Sequence, residues 1–370
     1  MTHHSDPAAT DLQHRLFDTA AEQADAFDPH SDWDAQGRAN TRRRSFLALA
    51  LASGAVSLGG VRPAAAQART VFRMDEINAV HYLATTFIEA NLAPEARIDW
   101  RFVRVGSVGH ARVAAFTRGD LDAFATGWNY LATIELRDLK GQAVCGIGGG
   151  GTRLLARAGS GIRTLADLKG KRVAVNPLNS QDIMLIYALR GIGIDPMREV
   201  TRVEIGNPAG IIAAMARGDV DATSIFEPSA SVILSQQGAT MISDLSAESF
   251  GKSHGGMYIR DAYVRDNEAA TQAIVAATVK AIDFVNNNKE EYVQRTMRVT
   301  GQTREIATLA VENVSPSWQM PMNTIRAISK AVYELGLEDR DVSSVIANRV
   351  NYSFLEKITG KPKAELGYVA

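Results

Sequence analysis

A ten-residue stretch occurs twice in this chain of 370 residues. Residues 114–123 read Ala-Ala-Phe-Thr-Arg-Gly-Asp-Leu-Asp-Ala, and residues 213–222 read Ala-Ala-Met-Ala-Arg-Gly-Asp-Val-Asp-Ala. The two arginines, Arg118 and Arg217, stand 99 residues apart. Each copy reads as the end of an Ala-rich helix stopped by a glycine, Gly119 or Gly218, at the position after the cap. A short strand follows in each, over Leu121–Thr126 and Val220–Phe226, and each strand runs into a loop: Gly127-Trp128-Asn129 in one, Phe226-Glu227-Pro228 in the other. A helix–strand unit repeated at a domain-sized interval predicts two similar α/β lobes. Loops at the carboxyl ends of such strands are where open α/β sheets hold ligands.

The remaining pattern agrees with that division. Strands are expected over Thr70–Met74, Ile98–Val103 and Val144–Arg157, with helices over Ala79–Asn91, Val108–Arg118 and Leu131–Leu139 between them. A second set of the same kind runs from Arg172–Asn176 to Thr240–Ile242. From Asn267 onward the chain reads as helical, including one helix over Val342–Thr359. This tail is expected to return to the first lobe and cover its sheet. The lobes are therefore expected at 69–160 plus 253–370 and at 161–252, joined by crossings near 158–163 and 244–256. Gly148–Gly151 has no Gly-Lys-Ser/Thr after it; it is not a phosphate loop and reads as a flexible interruption of a strand.

Several function classes fall away. With 46% hydrophobic and 22% charged residues the chain can fill two cores, but a net charge of −1 gives no electrostatic case for nucleic acid or an acidic membrane. Cys145 is the single cysteine, so an internal disulfide, a cysteine-rich zinc site and an iron–sulfur cluster are excluded. No cofactor is called for.

Residues 1–41 are polar and acidic, hold four of the seven histidines, and read as a disordered extension. Residues 42–68 read as an export signal: Arg42-Arg43-Arg44, an apolar run too short to span a bilayer, then Ala64-Ala65-Ala66. Arg43-Arg44-Ser45-Phe46-Leu47 resembles the twin-arginine motif; a general secretory signal or a membrane-anchoring helix is the alternative. Cleavage would start the mature protein near Gln67 or Arg69, in the periplasm.

Thr164-Leu165-Ala166-Asp167-Leu168-Lys169-Gly170-Lys171-Arg172-Val173, followed by Ile211-Ile212-Ala213-Ala214 and the Arg-Gly-Asp-Val-Asp-Ala of the second repeat, resembles periplasmic solute-binding proteins. The branch resembled is that of taurine, aliphatic sulfonate and nitrate binders, which includes thiamine-precursor binders. The resemblance implies an α/β chain with a type II periplasmic-binding-protein fold, two βαβ lobes joined by a hinge, and a helical C-terminal tail. It also implies delivery of a small solute to the permease and ATPase subunits of an ABC importer. An exported ligand-sensing receptor built on the same fold is the second reading. An enzyme of the pyrimidine-precursor synthase branch is the third, opposed by the absence of that branch's cysteine-rich motif.

The ligand is then expected between the lobes, on Asn78, His81, Tyr82, Ser107, Trp128, Asn129, Asn179, Ser180, Asn207, Phe226, Glu227 and His254. Several of these precede helix N-termini, where free N–H groups and the helix dipole favour an anion without any buried arginine. Ser180 and Asn207 can serve equally as helix caps. Trp128 is either a ligand wall or core packing. Glu227 is expected to take an amino group or ring N–H, or else to form a surface or interlobe ion pair. His81, His110 and His254 share no helical metal spacing and read as structural or cleft hydrogen-bonding groups rather than catalytic ones.

Overall fold

A computed structural model describes residues 69–369 except 106–108, 178, 249 and 251–252. The amino-terminal extension, the export signal and Ser107 lie outside the described residues, as do the side chains of His110 and His254. Among the described residues no helix is long and apolar enough to cross a membrane.

Two five-stranded sheets form the frame. The strands are β1 (Thr70–Asp75), β2 (Ile98–Val103), β3 (Ala123–Gly127), β4 (Gly141–Gly149), β5 (Thr152–Ala156), β6 (Arg172–Val175), β7 (Thr201–Glu204), β8 (Ala222–Phe226), β9 (Thr240–Ser243) and β10 (Ser253–Arg260). The first sheet has the order β2-β1-β3-β10-β4 and the second β7-β6-β8-β5-β9. In each, four strands run in one direction and one, β10 or β5, is antiparallel to both its neighbours. Crossover helices link the parallel strands, as in βαβ units. They include α1 (Gly109–Arg118), α2 (Asn129–Leu136), α3 (Ser180–Gly191), α4 (Pro208–Arg217) and α5 (Ser229–Gln237).

The duplicated stretch has a physical role at the end of the sheets remote from the following loops. Gly119 and Gly218 both take left-handed φ, +87° and +77°, which stops α1 and α4. The second aspartate of each copy then locks three strands together. Asp122 accepts hydrogen bonds from the Arg73 backbone N–H and guanidinium, at 2.9–3.0 Å, while its own N–H donates to Arg73 O. Asp221 repeats this with Arg172, 49 residues away in both cases. The antiparallel neighbour joins each clamp, because Arg260 N donates to Asp122 O and Arg157 N to Asp221 O. The first aspartates, Asp120 and Asp219, pair only with exposed Arg118 and Arg217, contacts that contribute little.

Three sequence expectations are corrected. The strand foreseen over Val144–Arg157 is two strands in different sheets, so the chain crosses between lobes at Gly150-Gly151 rather than near 158–163. Both glycines have positive φ there, +70° and +81°, and the crossing is a sharp turn that other residues would strain. The amphipathic helix foreseen over Ala79–Asn91 is a 3₁₀ helix over Val80–Phe87, with further short turns at Glu89–Asn91 and Pro94–Ala96. It is buried on nearly every side, leaving no polar face. The helix foreseen over Val342–Thr359 is a 3₁₀ turn at Ile346–Arg349 and a helix at Ser353–Thr359, because Val350 pairs with Ala143 beside β4.

The return crossing lies between β9 and β10, and the tail then covers the first sheet. Its long helix, Glu268–Asn287, buries Ile274, Val275, Ile282 and Val285, and the Tyr292 hydroxyl donates to Val80 O. The helix Arg304–Glu312 also packs against α5 of the second lobe, so the tail bridges both.

The Arg172 clamp holds the Asp221 carboxyl down at about 2, against the opposing effect of burial. A depressed carboxylate stabilises the fold fully above its unfolded value of about 3.9, and that contribution is lost as pH falls through about 2. Urea unfolding of Asp221→Asn at pH 7 is expected to show a loss of about 1–3 kcal/mol. The difference from wild type should shrink toward pH 2; a difference independent of pH over that range would contradict the clamp.

Candidate functional site

The carboxyl ends of β1, β3, β6 and β8 face each other across the seam between the lobes, and the seam is closed by direct contacts. Tyr130 Oη donates to Asn179 Oδ1 and Ser180 Oγ donates to Asn129 Oδ1, both at 3.0 Å. Val80 N donates to Glu227 O at 3.1 Å, and the His81 ring meets Phe226 edge-on at 5.8 Å. Behind these contacts lies a partly open cavity of about 40 Å³. Its walls include His81, Tyr82, Arg112 and Thr126 from the first lobe and Thr152, Asn179, Ser180, Gln181 and Phe226 from the second.

Arg112 is the charged group of this cavity, and it was not foreseen. It sits in the middle of α1, with a side chain only 8% exposed, and its Nε lies 2.7 Å from Asp75 Oδ2. The N–H points off the oxygen, so the contact is an ion pair outside hydrogen-bond geometry. Asp75 ends β1, is fully buried, and accepts from Ala125 N on β3 at 3.1 Å. The two guanidinium Nη groups make no hydrogen bond to another described residue, nor do Tyr82 Oη, Thr126 Oγ1, Thr152 Oγ1 or the Gln181 carboxamide. Among the described residues the lining therefore holds a guanidinium fork, four hydroxyls, an imidazole and amide groups, with no carboxylate. A fork of parallel N–H groups matches the oxygens of carboxylate, sulfonate or nitrate.

The other foreseen residues divide. His81, Tyr82, Asn179, Ser180 and Phe226 line the cavity. Asn129 borders it through its bond to Ser180. Asn78 is exposed and Asn207 is an exposed helix cap, accepting from Gly210 N at 2.7 Å; neither is in the lining. Trp128 is fully buried, edge-on to Tyr258 in the core of the first lobe. His254 lies on β10.

Glu227 requires a correction. It is buried, but its carboxylate turns away from the cavity: Oε2 accepts from Ser231 N in the first turn of α5 and Oε1 from Asn313 Nδ2 of the tail. Burial pushes this carboxyl above its usual range against those hydrogen bonds. The expectation that it meets an amino group of the ligand does not hold in this geometry. The signal for Arg112 was present in the sequence: it falls on the apolar stripe of α1 with Val113 and Phe116, where a solvent-facing arginine does not belong.

Residues 150–292 match the NMT1/THI5-like family. Over that part of its length the chain is similar to solute-binding proteins. Over 189 residues, 50% of the chain, it is 26% identical to the putative aliphatic sulfonates-binding protein of Escherichia coli, and it spans 58% of that relative's length. Its fold is shared with the alkanesulfonate-binding protein SsuA of Xanthomonas axonopodis pv. citri, solved bound to MOPS. That superposition has a TM-score of 0.67 and 20% identity, and covers 78% of this chain and 100% of that one. The desulfurization enzyme DSZB also shares the fold, with a TM-score of 0.59, 17% identity, and coverage of 79% and 99%.

Burial pushes the Asp75 carboxyl up to about 6, against the pull of Arg112 and of Ala125 N–H. For a raised carboxyl, the stabilising contribution is full below about pH 4 and lost as pH rises through about 6. The proton also neutralises Asp75 and leaves the Arg112 charge for an anion, so an anion bound there takes up a proton. Methanesulfonate affinity, measured by titration calorimetry, is expected to rise about tenfold from pH 7.5 to 5.5. Asp75→Asn should flatten the profile, while His81→Gln should keep its slope; a flat wild-type profile would contradict the coupling.

Proposed function

We propose that this chain is the extracytoplasmic solute-binding component of an ABC importer and captures a small oxoanion between its lobes. The observation that carries the reading is Arg112: a buried guanidinium with two unpartnered Nη groups, set among unpartnered hydroxyls in an interlobe cavity without a carboxylate. The sulfonate binders among its relatives support the oxoanion class. Closure around the anion would create the shape that membrane-embedded permease and ATPase subunits recognise. Export to the periplasm by the twin-arginine route accompanies this reading, with the lobes at 69–160 plus 253–370 and 161–252, modified by the crossing at Gly150-Gly151.

The cavity chemistry narrows the class further. With Glu227 engaged elsewhere, nothing acidic faces the cavity to hold an ammonium group. A buried cation without a partner is costly, so zwitterions such as taurine are disfavoured relative to plain anions. Cys145 offers no nucleophile to an enzymatic reading: it is buried on β4, its thiol pushed up by burial and set against Trp318 O, outside the cavity lining.

Thermal shift and calorimetry on the purified chain test this. At saturating concentration, about 100 times Kd, isethionate or nitrate should stabilise by about 2.7 kcal/mol. Taurine, equal in size to isethionate, should bind at least about tenfold more weakly. Arg112→Gln should abolish the anion response. Failure of every oxoanion to shift the melting temperature would overturn the proposal.

A further inference from the structure

The glycines of this cleft form a row that neither the fold nor the anion site accounts for. Gly127 on β3, Gly255 on β10 and Gly148 on β4 are consecutive ladder partners across three strands. None has a positive φ, so backbone conformation does not require glycine at any of them. Contact does. A Cβ on Gly148 would lie 2.2 Å from Tyr82 Cε1, one on Gly255 2.2 Å from Tyr82 Oη, and one on Gly127 2.0 Å from Ser180 Oγ. Such separations lie far inside van der Waals contact, and the obstacles at Gly148 and Gly255 belong to a rigid ring. The row is thus a notch in the first sheet. The edge of the Tyr82 ring fits into it, and Ser180 of the second lobe seats at its end.

The depth of that notch sets the size of the cavity. Tyr82 has the sheet on one side of its ring and the cavity on the other. His81 packs on it at 4.2 Å between ring centroids, which holds the ring in place. The space left is about 40 Å³, room for roughly three waters at about 10–15 Å³ each. Common small-molecule pockets enclose about 300–1,000 Å³. An oxoanion group with a short substituent fills such a space; a hexyl chain does not.

We propose that Tyr82, seated on the Gly148–Gly255 pair, is the size gauge of the cleft and restricts it to oxoanions carrying no more than one or two carbons. This inference rests on the oxoanion reading above. Tyr82 acts here by occupying volume, so its ring rather than its hydroxyl is the determinant.

The test is calorimetry of the full chain with methanesulfonate and 1-hexanesulfonate. Wild type should prefer methanesulfonate by at least about tenfold, the scale on which a tight pocket resolves extra methylenes. Tyr82→Ala should erase or invert that preference. Tyr82→Phe should weaken both ligands alike and keep the ratio. Gly148→Ala should drive the ring into the cavity and lose methanesulfonate binding by at least about tenfold. The double variant Gly148→Ala/Tyr82→Ala should recover binding, which separates displacement of the ring from misfolding. Equal wild-type affinities for the two sulfonates, or a Tyr82→Ala ratio equal to that of wild type, would overturn the gauge while leaving the oxoanion site standing. Binding of neither sulfonate, nor of nitrate or acetate, would overturn both.

Discussion

A guanidinium buried between two lobes has to be neutralised, and the architecture of the cleft follows from how that is done. Arg112 comes from the crossover helix α1, and Asp75 from the end of the first strand that this helix covers. Ala125 N–H on β3 fixes the carboxylate from the adjoining strand. The pair is therefore built wholly from the first lobe. Removing either partner from such a pair costs about 3–5 kcal/mol, because an uncompensated charge stays behind. Asp75 occupies only the Nε side of the fork, and the two Nη groups remain for a ligand. The seam through Tyr130, Asn179, Asn129 and Ser180 joins the lobes over the cavity, and burial there strengthens any charge contact made inside.

The second lobe repeats the frame but not the charge. Its Arg172–Asp221 clamp reproduces the Arg73–Asp122 clamp bond for bond, and both sheets take their antiparallel strand from a crossing of the chain between lobes. The remote end of each sheet is thus rigid in the same way, while the ligand ends diverge. The first lobe presents Arg112 and Tyr82; the second presents Thr152, Ser180 and Gln181. The first lobe supplies the charge and the second supplies neutral polar groups.

Much of the frame was legible in the sequence. The duplicated Arg-Gly-Asp stretch located both helix stops and the strands after them, since a glycine with left-handed φ is a strong local signal. What escaped depends on partners distant in the chain. The run Val144–Arg157 reads as one interrupted strand because nothing local shows that Thr152–Ala156 pairs with β8 of the other lobe. Gly148 reads as a weak point in a strand, although Tyr82, far away in sequence, fills the space above it. Glu227 precedes a proline at the end of a strand, as a cleft residue would, but the tail supplies Asn313 to take its carboxylate. Arg112 was visible only through its place on an apolar helix stripe. The lesson is physical: helix stops and caps are short-range, whereas burial of a charge or a glycine contact is decided by the tertiary neighbours.

The central claim is that the cleft closes on an oxoanion gripped by Arg112. A crystal structure of the protein grown with methanesulfonate tests it most directly. The account places the sulfonate between the lobes, with its oxygens about 2.7–3.0 Å from the Arg112 Nη groups and with Thr152 or Gln181 of the second lobe in contact. A sulfonate bound away from Arg112, or one held in the cleft while Arg112 stays turned wholly to Asp75, would contradict it.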